Sequence, residues 1–202
     1  MKRIKQVQKQ VKMKTIKQVQ KQAKMKTTIA LLSIGLMTLS CSNDDDPIAV
    51  DEEEVITTMN ITLTAAGNTV TLSSQDLDGD GPNAPELDVS GTLVANTVYA
   101  GSIELLNETE TPAEDITLEV AEEDDEHQFF FNVSGSLTGF DYTDTDEDNN
   151  PIGLSFTVAT GDAGTGTLSV TLRHEPKKPN DGTLADAGGE TDIAQSFTVT
   201  VE

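Results

Sequence analysis

Two histidines, His127 and His174, occur in the 202-residue sequence, and each sits at the end of an alternating apolar run. His127 is in phase with Phe129 and Phe131 in "HQFFFNV", and His174 is in phase with Val170 and Leu172 in "TLSVTLRH". Alternation at period two puts both imidazoles on the side of their strands that faces the interior. If these strands are antiparallel neighbours, the start of one meets the end of the other, and the two rings share one rim of the fold. Glu126 and Glu175 adjoin them, one residue out of phase. Two imidazoles with a carboxylate make a donor set for zinc or copper. The competing use of such a histidine is a hydrogen bond to a loop carbonyl.

Carboxylates are also spaced for a harder cation. In "DLDGDG", Asp76, Asp78 and Asp80 alternate and Gly81 follows. This resembles the start of an EF-hand-type calcium loop, in which alternate carboxylates converge and a glycine permits the sharp turn. The bidentate Glu that should close such a loop is absent; Leu87 holds its place, with Glu86 before it and Asp88 after it. "DTDEDNNPIG" repeats the spacing at Asp144, Asp146 and Asp148, with Asn149 in place of the glycine. Calcium at either loop is one expectation, and an acidic β-turn is the other.

The ends of the chain differ sharply in charge. Ten of the 13 Lys and Arg residues lie in the first 26 positions, and no acid precedes Asp44. "IKQVQKQVKMKT" is followed by the near-copy "IKQVQKQAKMKT", a duplicated basic leader, and then by the uncharged run "TIALLSIGLMTLS". Basic region, short apolar run and small residue make a secretory signal, too short to span a bilayer, which needs about 20 apolar residues. "TLSC" resembles the lipobox of bacterial lipoproteins. The resemblance implies cleavage before Cys41, acyl chains on its thiol, and an outer-membrane anchor with the domain exposed at the cell surface. It also accounts for a lone cysteine in an exported chain. The expected organisation is therefore a signal at 1–40, a lipidated acidic tether at 41–54 and a folded domain at 55–202.

From Cys41 onward only Arg173, Lys177 and Lys178 are basic, against 35 acids. That balance opposes binding to nucleic acid and favours cations. The three bases cluster in "RHEPKK", a small spot for an anion or for pairing with acidic loops.

The elements that must carry these side chains are mostly strands. Val55, Met59, Ile61 and Leu63 alternate, as do Val70 and Leu72; Tyr99, Ile103 and Leu105; Phe129, Phe131 and Val133; Ile152, Leu154, Phe156 and Val158; Leu168, Val170 and Leu172; and Phe197, Val199 and Val201. Ser and Thr fill most opposite positions, and Gly, Asn, Asp and Pro separate the runs. The pattern predicts an all-β antiparallel sandwich, immunoglobulin-like or partly barrel-like. One short helix is expected within 111–125, with Thr111, Pro112 and Glu114 as N-cap, first turn and capping box. Leu93, Ala95, Thr97 and Tyr99 resemble the tyrosine corner of fibronectin-type and immunoglobulin-like domains, where the hydroxyl bonds back to the backbone.

No phosphate-binding glycine loop and no nucleophile elbow occur, so the expected role is not enzymatic. "DLDGDGP", "GSIELLNE", "EHQFFF" and "LRHEP" are similar to segments of small exported lipoproteins, some grouped with the type 1 periplasmic binding fold. That resemblance implies a cell-envelope role, although the two-lobed α/β architecture of that fold conflicts with the strand alternation here. The sequence favours a lipid-anchored ligand- or metal-ion-binding lipoprotein serving an outer-membrane transporter. The alternative is a structural or adhesive surface module with no small-molecule ligand.

Overall fold

The structure is a computed structural model that describes residues 54–79 and 81–202. Cys41, the leader, the signal, the tether up to residue 53 and Asp80 lie outside the described residues.

Alternating apolar positions become strands of two antiparallel sheets. The chain runs β1 (Thr58–Ala65), β2 (Asn68–Gln75), β3 (Glu86–Val89), β4 (Val98–Asn107), β5 (Glu114–Asp115), α1 (Ile116–Glu122), β6 (His127–Gly135), β7 (Leu137–Tyr142), β8 (Ser155–Thr160), β9 (Gly164–His174), α2 (Leu184–Ala187) and β10 (Glu190–Val201). One sheet has the order β3-β2-β1-β4-β8-β7, with β5 beside β4; the other has the order β10-β9-β6. The sheets are open, so the fold is an all-β, sandwich-like arrangement and not a closed barrel.

The two inner faces meet in one core. Met59, Ile61, Leu63, Val70, Leu72, Tyr99, Leu105, Phe129, Phe156, Leu168, Val170, Leu172 and Phe197 are each at most 1% exposed, so the period-two reading located the buried face of nearly every strand. Gly101 lies opposite Phe156 in the β4–β8 ladder, and a Cβ there would stand 2.5 Å from a Phe156 ring carbon. Only glycine lets that ring lie flat on β4.

The Tyr99 corner forms. The hydroxyl accepts from the Val94 N–H at 2.7 Å and donates to Asn68 Oδ1 at 2.8 Å. Leu93 lies beside the end of β10, its N–H bonded to the Thr200 carbonyl and its carbonyl to the Glu202 N–H. The corner thus ties a loop of the large sheet to the last strand of the small one.

Three expectations need correction. Val55 is 55% exposed, because the chain joins the sheet only at Thr57, whose N–H donates to the Leu106 carbonyl. The helix begins at Ile116, not after Pro112. Glu114 and Asp115 pair with the end of β4, and Asp115, not Thr111, is the N-cap, accepting from the Thr117 N–H. Ile116 and Val120 do share the buried face. Phe130, out of phase with its apolar neighbours, is nonetheless buried at 5% exposure. Residues near Gly182–Leu184 return over the outer face of β6 and β9, and Asn180 donates to Gln128 there.

Candidate metal centre

The ladder between β6 and β9 runs in unbroken register from Gly135↔Gly166 to His127↔His174. The strands are antiparallel neighbours, the condition on which a shared rim was expected, and the two histidines are direct cross-strand partners at the end of the small sheet. Their rings stack with centroids 4.8 Å apart and planes 14° from parallel. His127 is fully buried, and His174 is 6% exposed. At the far edge of β9, Gly189 allows the start of β10 to approach, since a Cβ there would stand 2.3 Å from the His174 carbonyl oxygen.

Helix α1 positions the first imidazole. Glu123 caps its C-terminus, and the Glu123 carbonyl oxygen lies 3.2 Å from His127 Nδ1. A carbonyl can only accept, so this contact calls for a proton on Nδ1 and leaves Nε2, which makes no hydrogen bond among the described residues, as the nitrogen open to a metal. Hydrogen bonding of one ring nitrogen to a carbonyl is the usual arrangement when the other nitrogen binds a metal.

Beside Nε2 is a carboxylate that the sequence did not single out. Glu54 Oε1 lies 3.1 Å from His127 Nε2, and the Glu54 side chain is only 4% exposed. The contact lacks hydrogen-bond geometry at Nε2, and Glu54 Oε2 is buried with no hydrogen-bond partner among the described residues. Oε1 thus lies to the side of the direction along which that nitrogen donates or binds. A cation bound by both, after a small turn of the ring, would give each of them a bond.

Glu54, His127 and His174 offer donor atoms that all lie within 4.8 Å of one another. A tetrahedral site with bonds near 2.0–2.1 Å has edges of about 3.3 Å. The Glu54–His127 edge already has that length. The rest must contract by an ångström or so, and near-parallel rings must tilt for their lone pairs to converge. Glu126 Oε2 lies 3.9 Å from His174 Nε2, on a half-exposed side chain, and is placed to supply a fourth donor. Glu123 Oε2 lies 4.0 Å from His127 Nδ1. Burial, and after it the charges of Glu54, Glu123 and Glu114, raise the pKa of Glu119, while His127 acts in the opposite direction.

Glu175 is not brought in. It is exposed, its φ is +48°, and its N–H donates to the Glu126 carbonyl at 2.7 Å. Its backbone fixes Glu126 beside His174, while its carboxylate takes no place in the cluster. Of the expected pair of acids, one is therefore adjacent and the other is replaced by Glu54. Only the position of Glu54, four residues before β1, set it apart from the acids around it.

The two acidic loops use their carboxylates differently. In the first, Asp78 Oδ2 accepts from Asn83 Nδ2 at 2.6 Å, and the Asp78 carbonyl accepts from the Gly81 N–H. Asp76 and Asp78 line a shallow polar depression with Gln75, Asn83 and Glu86. Glu86 opens β3 opposite Gln75. In the second loop the acids hold the backbone. Asp144 accepts from the N–H groups of Gly153 and Ser155, both at 2.8 Å. Asp146, 6% exposed, accepts from the N–H groups of Asp148 and Asn150 and from the Asn150 side chain, and it faces Lys178 Nζ at 3.4 Å. The Lys178 ammonium, which also donates to the Asp124 carbonyl, stands where a cation would neutralise this loop. Asp148 is exposed.

The basic cluster is likewise spent internally. Lys177 pairs with Asp186 at 2.9 Å, and Arg173 donates to the Gly189 carbonyl at 3.1 Å. The positive charges thus fasten the loop between β9 and β10 and do not gather at one anion-attracting spot. Among the described residues no helix is long and apolar enough to cross a membrane.

Comparison of the chain with protein-family models, with curated proteins and with solved structures found no match in any of the three.

Proposed function

We propose that this protein is a non-enzymatic, metal-ion-binding lipoprotein of the cell envelope. Cys41 carries the acyl chains that hold it at the outer membrane, and Glu54, His127 and His174 take a zinc- or copper-class ion, which is handed to an outer-membrane transporter. The observation that carries the metal reading is the buried carboxylate of Glu54, with Oε2 unpartnered among the described residues and Oε1 3.1 Å from His127 Nε2 without a hydrogen bond to it. Two imidazole nitrogens with carboxylate oxygens suit zinc and copper, whereas calcium takes oxygen donors only. The surplus of acid in the chain supports the same reading, because it concentrates cations near the surface.

Thermal unfolding of the full chain with zinc, copper, calcium or chelator tests this. An ion that binds only the folded state, present at 100 times its Kd, stabilises by about 2.7 kcal/mol. The proposal expects that response to zinc or copper and its loss in His127→Ala combined with His174→Ala. A zinc or copper shift that survives the double substitution rejects the site. No response to any ion favours the structural or adhesive module.

A further inference from the structure

We propose that ion uptake clasps the segment leading into the sandwich against its rim, with Glu54 as the clasp. The inference rests on the metal reading above and concerns how the three ligands are held. His127 and His174 stand on paired strands, so the β6–β9 ladder holds their backbones in register whether or not an ion is present, and only their rings need turn. Glu54 stands on no strand. It precedes Thr57, where the chain joins the sheet, and is followed by Val55, whose side chain is 55% exposed. Ile56 packs at the core's edge, so the segment is half seated by apolar contact and half by the Glu54 side chain.

That side chain is in an unfavourable place without a cation. It is 4% exposed, Oε2 has no hydrogen-bond partner among the described residues, and Oε1, 3.1 Å from His127 Nε2, makes no hydrogen bond with it. A buried carboxylate so placed favours release of the segment to water. A cation at the cluster reverses the sign, because it bonds both the imidazole and the carboxylate. Ion binding and seating of residues 54–56 are then one coupled equilibrium, and each must favour the other by the same factor. Release of these three residues adds up to about 10 Å of reach on the N-terminal side of the sandwich. The ion-loaded protein therefore holds its domain closer to whatever anchors that side.

Hydrogen exchange of the full chain in detergent, read by mass spectrometry with zinc chloride or with chelator, tests the clasp beside a calorimetric zinc titration. Zinc should slow exchange of the Val55 and Ile56 amides by about tenfold or more, and leave Phe131, inside the ladder, unchanged. In Glu54→Gln those two amides should be slow already in chelator, since a neutral amide costs less to bury than a carboxylate. Zinc should then add nothing there and should bind at least about tenfold more weakly. Zinc heat with no change at Val55 and Ile56 in the wild-type chain overturns the clasp and leaves the metal site standing. Absence of both heat and exchange change overturns the metal reading and the clasp together.

Discussion

Glu54→Gln separates a metal ligand from a structural ion-pair partner, because the two roles predict opposite signs. In the ion-free protein the wild-type carboxylate leaves Oε2 buried with no partner among the described residues, and holds Oε1 3.1 Å from His127 Nε2 without a hydrogen bond to it. An unsatisfied buried acceptor costs about 1–3 kcal/mol, more when it is charged. Gln keeps the shape and removes the charge that burial penalises, at the cost of one imperfectly paired amide atom. The net expectation is a gain of about 1–2 kcal/mol. For a domain of this size about 2–4 °C corresponds to 1 kcal/mol, so Tm in chelator should rise by about 2–8 °C. With zinc at 100 times the wild-type Kd the gap closes, because the wild type gains about 2.7 kcal/mol, or about 5–11 °C, and a variant that binds about tenfold more weakly gains only about 1.4 kcal/mol. Calorimetric melts at pH 8, with and without zinc, read both halves. If Glu54→Gln melts below the wild type in chelator, Glu54 is a structural partner of His127, and the argument from an unsatisfied buried carboxylate fails.

Other parts of the fold make their own predictions. Tyr99→Phe keeps the buried ring but strips the acceptor from the Val94 N–H and the donor from Asn68. It should cost about 1–3 kcal/mol in denaturant unfolding, with zinc affinity unchanged. Gly101→Ala sets a methyl 2.5 Å from the Phe156 ring and should destabilise by about 1–3 kcal/mol, an effect that Phe156→Leu in the same chain should partly relieve. For Asp146, burial raises the pKa, but hydrogen bonds from Asn150 and the charge of Lys178 outweigh it and hold the carboxyl below its ordinary value. A depressed folded-state pKa contributes stability above the unfolded value, which is lost as pH falls through the folded one. Acid titration should therefore show a loss beginning near pH 4 and continuing below it, with a shallower slope in Asp146→Asn.

Much of this architecture is legible at period two. Phe129, Phe131 and His127 share a phase, as do Val170, Leu172 and His174, so pairing of two rings at one rim followed from alternation and an antiparallel ladder. Glu54 was not legible. It ends the run "DEEE", whose composition reads as a solvated tether, and no residue-level signal marks Glu54 as an acid that turns inward. Phe130 was hidden for a related reason. A strand's own pattern cannot report that a distant loop, near Gly182–Leu184, will cover its outer face. The helix start was misplaced because Pro112 and the capping-box spacing are local signals. Pairing of Glu114 and Asp115 with β4 is a tertiary contact, and it prevails. The acidic loop at Asp144–Asp148 looked like a cation loop because an Asp accepting backbone N–H groups and an Asp binding calcium require the same residue at the same spacing.

X-ray absorption of zinc bound to the full chain tests the central claim most directly. One zinc per chain, with two imidazole nitrogens and carboxylate oxygen near 2.0–2.1 Å, is predicted, falling to no imidazole in His127→Ala combined with His174→Ala. A zinc shell of oxygen alone in the wild-type protein would contradict the account.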